Sequence, residues 1–306
     1  MKSKSKSNSN GHADFDSPQR CFACGADDLQ SAGAFHYLNQ ASGPQALVAW
    51  SRDAATLVRC ARCGSQGPNR RPSDALLAAW HAQHGGDVTE RLTEGHRRAV
   101  QRLRGIGAVT LVDVGCGAGT FLDLLPPTIT RFGLEPSASS AAFGRARGRR
   151  IVAPDADGWS TELPDTVDVI TLFDVLADLR EPGPFLTRLL ARLRPGGRLL
   201  LFTGDAGSPW SLRWGIRWWY HGWANHLSCF SADGLSALVS GLGLSCESLD
   251  CTVYMHEPPS LRRALRVAPM HLLNSAGALR ALDGVRPPVA TSPLGVDHVL
   301  MVARAH

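Results

Sequence analysis

Residues 111–122 read LVDVGCGAGTFL, a short apolar run followed by three glycines in five positions. An apolar run of this length bounded by turn residues reads as a buried strand. Glycines, lacking Cβ, let the chain turn tightly and approach a ligand with its backbone. The spacing of Gly115, Gly117 and Gly119 excludes two common phosphate sites. Thr120 stands where the dinucleotide fingerprint requires glycine, and no Lys-Ser/Thr pair follows to make a P-loop. Asp113, just before the turn, would repel a pyrophosphate but suits a ligand carrying an ammonium group. Glu135 follows Gly115 by 20 residues at the end of the next apolar run. At that distance a carboxylate accepts hydrogen bonds from ribose hydroxyls in a Rossmann-like crevice. A nucleoside with a cationic, amino-acid-like tail meets all of these conditions, and S-adenosylmethionine is such a ligand.

Around this turn the chain alternates strand and helix. TLVDVG, RFGLEPS, RIVAPDA, VDVITLFDVL and GGRLLLFTGD read as strands, and TFLDLLPP, SSAAFGRARG and PFLTRLLARL as helices between them. That alternation predicts parallel βαβ units and an α/β fold. Upstream, RPSDALLAAWHAQH has a helix start at Pro72 and Ser73, and ERLTEGHRRAVQRLRGI is a second helix. Downstream come a helix SADGLSALVSGLG, a strand near SCESLDCTVY and a last strand DHVLMVARA.

LVDVGCGAGTFL, GLEPS and VDVITLFDVLADL with LRPGGRLLLFTGD together resemble the class I S-adenosylmethionine-dependent methyltransferases, over about residues 105–250 and the last strand. The resemblance implies a Rossmann-like sheet with helices on both faces. It also implies that Asp113 and the backbone of Gly115, Cys116, Gly117 and Gly119 hold the methionine moiety, and that Glu135, in the Glu135-Pro136 pair, holds the ribose. Asp155 would approach the adenine amino group, with Phe173 and Asp174 beside the cofactor.

Cys21, Cys24, Cys60 and Cys63 form C-x2-C-x35-C-x2-C, each pair followed by glycine (Gly25, Gly64). Each pair can place two thiolates on one tetrahedral Zn²⁺, and four thiolates close the shell to water, so the expected site is structural. Between the pairs, ALVAW and TLVRC read as strand-like, a short ribbon. The remaining cysteines are scattered.

SPWSLRWGIRWWYHGWANHLSCFS holds five of the eight tryptophans, and Trp210, Trp214 and Trp218 recur every four residues, one face of a helix. Such a stripe packs a cap onto the core; a substrate lid and a membrane-surface helix are the other readings, the last lacking a basic polar face. The same stretch resembles a subgroup with a G-x-x-W…H-L-x-x-F-S segment, matched by Gly215, Trp218, His226, Leu227, Phe230 and Ser231. Relatives of this kind, often with an N-terminal zinc-binding region, methylate sugars and other metabolites, and the resemblance carries the role of base to His226. Where the family often has Glu-His after the fourth strand, this chain has Ala177 and Asp178, and Asn225 precedes His226 where an acidic residue is common. His221 and Asp178 are the further candidates for a base.

Of the five net positive charges, three come from Lys2, Lys4 and Lys6, the only lysines, so the folded part offers little to a polyanion. No apolar run is long enough to span a bilayer, and the expected location is the cytoplasm. The expected division is a disordered tail to residue 16, a zinc ribbon over 17–70 and a methyltransferase domain over 71–306 with a cap insertion at about 206–232. The segment 256–296, with EPPS and RPPVATSP, carries little signal. The leading expectation is methyl transfer to a small-molecule acceptor, a sugar or a glycan or natural-product precursor, at oxygen or carbon. An RNA methyltransferase gripping RNA with the ribbon and a non-catalytic zinc-ribbon adaptor are the alternatives. The first lacks an Asn/Asp-Pro-Pro-Tyr/Phe motif.

Overall fold

The computed structural model describes residues 15–37, 45–53, 55–83, 90–104, 106, 109–155, 158–254 and 296–306. The tail up to residue 14 and most of the low-signal segment 256–296 lie outside the described residues.

The N-terminal part contains β1 (Phe15–Asp16), β2 (Leu29–Phe35), α1 (Gln45–Arg52), β3 (Ala55–Cys60), β4 (Gln66–Pro68) and β5 (Arg71–Pro72). β2, β3 and β4 form an antiparallel sheet, and β1 pairs with β5, which ties Phe15 and Asp16 to the end of the ribbon. ALVAW is helical, not a strand. Leu47 and Trp50, three residues apart, turn one face inward, where the Trp50 ring meets Tyr37 at 4.8 Å. A five-residue apolar run has no period by which to separate the two states, and packing decides.

Next come α2 (Asp74–Gln83), α3 (Glu94–Leu103), β6 (Val109–Val114), β7 (Ile129–Leu134), α4 (Ala138–Arg145), β8 (Ile151–Val152), β9 (Val167–Phe173), α5 (Pro182–Leu190), β10 (Leu193–Gly204), α6 (Pro209–Trp214), α7 (Ala232–Gly241), β11 (Ser245–Thr252) and β12 (His298–Arg304). Among the described residues they build a seven-stranded sheet in the order β11-β12-β10-β9-β6-β7-β8. β6 to β10 run parallel, and β12 is antiparallel to both of its neighbours. Val112, Val114, Ile170, Leu172, Leu199 and Leu201 are buried on one side of this sheet, and Leu111, Val169 and Leu200 on the other. Burial on both faces explains why these strands read as continuous apolar runs. All five parallel strands end at one edge, beside the start of β12.

Three local readings change in the fold. TFLDLLPP is one 3₁₀ stretch, Thr120–Leu124; Leu125 is already extended before Pro126, as the residue ahead of a proline prefers. The LRPGG turn lies inside β10, where the register with β9 shifts between Leu193 and Arg198. The tryptophan stripe is not one helix. α6 stops at Gly215, whose φ of 54° reverses the chain into short 3₁₀ turns. Trp210, Trp214 and Trp218 still meet in one buried cluster with Tyr220, Ala177, Ala206 and Cys229, which packs the cap onto the core.

The N-cap of α3 shows how tightly the strand-end region is built. Thr93 Oγ1 accepts from the His96 backbone N–H, and the Thr93 N–H donates to His96 Nδ1, a reciprocal cap. Gly95 of this helix faces the Phe202 ring of β10, and a Cβ there would lie 2.4 Å from it. Alanine in a helix is ordinarily stabilising. Gly95→Ala is instead expected to destabilise by about 1–3 kcal/mol through overpacking. A denaturation midpoint at or above that of the wild type would contradict the packing.

Candidate functional site

At the carboxyl edge of the parallel strands the glycine turn leaves β6. Gly115, Gly117 and Gly119 all have left-handed φ, 70°, 55° and 77°. Two of these positions do different things. A Cβ on Gly115 would strike Val175 Cγ2 at 2.4 Å, so this glycine seats the turn against the loop after β9. A Cβ on Gly117 would meet nothing within 4 Å, so this part of the turn exposes bare backbone to open space. That is the cradle a ligand needs for close backbone approach.

Asp113 and Glu135 flank the cradle. Asp113 is almost sealed beneath the turn, and its Oδ1 accepts from Thr171 Oγ1 at 2.7 Å. Burial pushes its carboxyl up to about 7, against the Thr171 hydrogen bond, which favours the ionised form. Glu135, at the end of β7, accepts from the Gly117 N–H at 2.7 Å and the Ser137 N–H at 2.8 Å. It bridges the glycine turn to the next helix. Burial raises its pKa, and the two backbone donors oppose that rise. Pro136 follows directly. Cys116 lies in the turn, its thiol pushed up by burial. Asp155 is farther along the same edge, its Oδ2 accepting from the Thr161 N–H at 2.9 Å. The residues fit S-adenosylmethionine: open space for close approach at Gly117, one buried carboxyl beneath it, and a second at the next strand end.

Phe173 and Asp174 close β9. The Phe173 ring contacts His96 at 4.3 Å and Phe121 at 4.7 Å. Asp174 has a φ of 57°, left-handed for a residue with a Cβ. Its Oδ1 accepts from Tyr220 O–H at 2.9 Å, and Tyr220 also meets Thr203 Oγ1 at 3.2 Å. The cap thereby closes onto the strand ends through a buried tyrosine.

The three candidate bases are placed differently. His226 donates from Nδ1 to the Tyr220 carbonyl at 2.8 Å, which leaves Nε2 as the basic nitrogen, 3.9 Å from Asp178 Oδ1. Burial lowers its pKa to about 4, opposed by Asp174, so it is neutral near pH 7. His221 is buried between Trp218 and Phe35 of the ribbon, and burial lowers it to about 3. Asp178 Oδ1 is taken by Asn225 Nδ2 at 2.9 Å, and burial raises its carboxyl well above the usual range.

Sequence reasoning missed three residues here. His298, fully buried at the start of β12, pairs through Nδ1 with Asp297 Oδ1 at 2.7 Å. Asp297 Oδ2 accepts from Trp219 Nε1 at 2.7 Å. His96, whose pKa burial lowers to about 4, packs on Phe173. The signal for the first two was present: Asp-His opens a strand that is otherwise apolar.

The second constellation lies in the ribbon. The sulfurs of Cys21, Cys24, Cys60 and Cys63 all lie within 4.8 Å of one another, with Cys21–Cys63 and Cys24–Cys60 at 3.6 Å. Four thiolates about 2.3 Å from a tetrahedral Zn²⁺ stand about 3.8 Å apart, so the set fits that metal. Matching turns carry the two pairs, with Gly25 N–H to the Cys21 carbonyl and Gly64 N–H to the Cys60 carbonyl, both 2.9 Å. The ribbon docks on the segment after His226. Gln66 and Cys229 exchange two backbone hydrogen bonds of 2.8 Å, Ser231 Oγ donates to the Cys63 carbonyl, and Phe22 packs edge-on against Phe230 at 4.9 Å.

A family model described as a methyltransferase domain matches residues 70–249. An uncharacterized protein of Mycobacterium tuberculosis is 25% identical over 223 residues, 71% of this chain and 75% of its own length. The mitochondrial ubiquinone biosynthesis O-methyltransferase of Schizosaccharomyces pombe is 30% identical over 105 residues, 30% of this chain and 37% of that protein. Among solved structures, one chain of a complex between the Haloferax volcanii Trm112 methyltransferase activator and a methyltransferase covers 68% of this chain and 88% of its own. Its TM-score is 0.50 at 19% identity, a likeness of fold. No helix among the described residues is long and apolar enough to cross a membrane.

Proposed function

The chain belongs to the methyltransferase-domain family and is an S-adenosylmethionine-dependent methyltransferase, and from that premise we propose that it methylates a small molecule, a sugar or a glycan or natural-product precursor, at oxygen or carbon. The observation that carries the small-molecule reading is the closed cap. Trp218, Tyr220 and His226 are packed down over the strand ends, and Tyr220 is bonded to Asp174. An acceptor between them must be compact, which a polynucleotide is not. Within the proposed site Asp113, Gly115, Cys116, Gly117 and Gly119 hold the methionine part, Glu135 and Pro136 the ribose end, and Asp155 the adenine, with Phe173 and Asp174 alongside. The cofactor supplies a methyl group on a sulfonium that leaves as a neutral thioether. The protein's share is to align the acceptor and keep its nucleophile unprotonated. His226, neutral with Nε2 free of a proton, is the proposed base; His221 is turned toward the ribbon and Asp178 is engaged by Asn225. Cys21, Cys24, Cys60 and Cys63 are the proposed ligands of one structural Zn²⁺.

The test has two arms on the zinc-loaded full chain. Calorimetry with S-adenosylhomocysteine is expected to show binding. Transfer of labelled methyl is expected onto members of a panel of nucleotide sugars, glycolipid precursors and catechols, and not onto total RNA. Label in RNA with a silent panel would overturn the small-molecule reading.

A further inference from the structure

His298 has no exposed surface, and its Nε2 is buried without a hydrogen-bond partner among the described residues. The ring cannot turn to find one. Nδ1 is held by Asp297, which Trp219 holds in turn. The ring also lies between Phe202 and Trp219, at 5.0 and 5.8 Å. Nε2 faces Asp174 Oδ1 at 3.7 Å. That oxygen already takes the Tyr220 hydrogen bond, and Asp174 is the member of the group that reaches the crevice, its side chain 23% exposed beside a sealed His298 and Asp297. Its left-handed backbone is one that residues with a Cβ adopt only where the surroundings hold them. Two fixed contacts on Oδ1 thus leave Oδ2 for a ligand.

We infer that Asp174, its Oδ1 held by Tyr220 and faced by His298 Nε2, turns Oδ2 to the methyl-transfer position and accepts a hydrogen bond from the acceptor. The inference rests on the methyl-transfer reading. It makes Asp174 the acceptor-binding residue and His298 a positioning residue that acts through it. The acceptor class follows: a hydroxyl or ammonium donor at or next to the methylated atom.

The electrostatics agree. Burial pulls His298 down, but Asp297 and then Asp174 outweigh it and hold the imidazole up to about 9. Among the described residues, the other ionisable groups facing this pair are Tyr220 and His226 from the cap, Asp205 after β10, Asp178 after β9, His96 of α3 and Tyr254 after β11. His226 and His96 are driven neutral by burial, and Tyr220 and Tyr254 are held up as phenols, so among the described residues His298 is the cation beside Asp174.

Two probes read the site without knowledge of the acceptor. Sinefungin carries an ammonium where the cofactor carries its methyl-bearing sulfonium, and S-adenosylhomocysteine carries no charge there. In calorimetry of the zinc-loaded full chain, Asp174→Asn, which tolerates the left-handed backbone, is expected to lose about tenfold or more in sinefungin affinity, as for a charge-assisted hydrogen bond. Its affinity for S-adenosylhomocysteine is expected to stay within about twofold, below what one ordinary hydrogen bond is worth. His298→Gln is expected to lose the same preference in part. On the ligand-free protein, ¹⁵N spectra are expected to show His298 titrating near 9 and falling toward the ordinary histidine range in Asp297→Asn. An unchanged sinefungin preference in Asp174→Asn overturns the inference, as do equal losses for both ligands. A His298 that is neutral at pH 7 overturns its positioning role. A folded wild type that binds neither ligand overturns the methyl-transfer reading itself, and this one with it.

Discussion

Cys60→Ser is expected to lower the thermal midpoint by about 10 °C or more and to abolish methyl transfer, although Cys60 belongs to the ribbon and not to the glycine turn. Loss of a structural metal belongs to the exceptional class of destabilising changes, about 4 kcal/mol or more, and a chain of this size loses about 2–4 °C per kcal/mol. The loss of activity follows from where the ribbon is attached. The Cys63 carbonyl receives Ser231 Oγ, and that same oxygen accepts from Gly234 N–H to cap α7. Gln66 is laddered to Cys229, and Leu227 and Ala224 pack with Phe35, Tyr37 and Leu57 of the ribbon. His226 stands in the middle of that seam. Stripping the metal with a chelator should reproduce both effects reversibly, and Cys246→Ser, at an exposed position of β11, should produce neither. A metal-stripped protein that melts like the wild type would sink the structural-zinc assignment.

The affinity of S-adenosylhomocysteine is expected to climb as the pH rises from 6 to 8, by about tenfold in all, because one pH unit below a coupled pKa costs about 1.4 kcal/mol. The coupled group is Asp113, whose carboxyl burial raises to about 7. The ligand's ammonium favours the ionised carboxylate, so binding below pH 7 must expel a proton. Above pH 7 the carboxylate is already formed and the affinity levels off. Asp113→Asn keeps the shape and the Thr171 contact but has no proton to release. It is expected to bind about tenfold or more weaker at pH 8, the worth of a charged hydrogen bond, and to show a flat pH profile. Without ligand the same shift acts on stability in the opposite direction. A folded-state pKa raised above the unfolded value contributes stability that is complete below about pH 4 and is lost as the pH rises through 7. Calorimetry in buffers of different ionisation enthalpy counts the protons. A flat profile in the wild type would remove Asp113 from the ammonium's site.

Membership of the class I fold was legible because its evidence is local. The glycines, Asp113 and Glu135 sit at fixed offsets around one strand–turn–strand passage, and that spacing survives without knowledge of the rest of the chain. The paired cysteines were legible for the same reason: each knuckle is a four-residue object, and only the meeting of the two knuckles needs the fold. The cap was read as one helix because its tryptophans keep helical spacing. Gly215 breaks the helix at a point that periodicity in apolar residues does not register.

What the sequence determined by itself, then, is every feature specified by neighbours along the chain: the alternation of strand and helix, the glycine cradle, the thiolate pairs. Only the tertiary structure decided which charges meet. Asp297 and His298 lie more than a hundred residues from Asp174, and the antiparallel return of β12 beside β10 is what sets their ring against the end of β9. Gln66 and Cys229 are likewise joined only when the ribbon closes on the cap seam. Electrostatics in a buried site depend on distance through space and on exclusion of water, and both are products of folding, without counterpart in the order of residues.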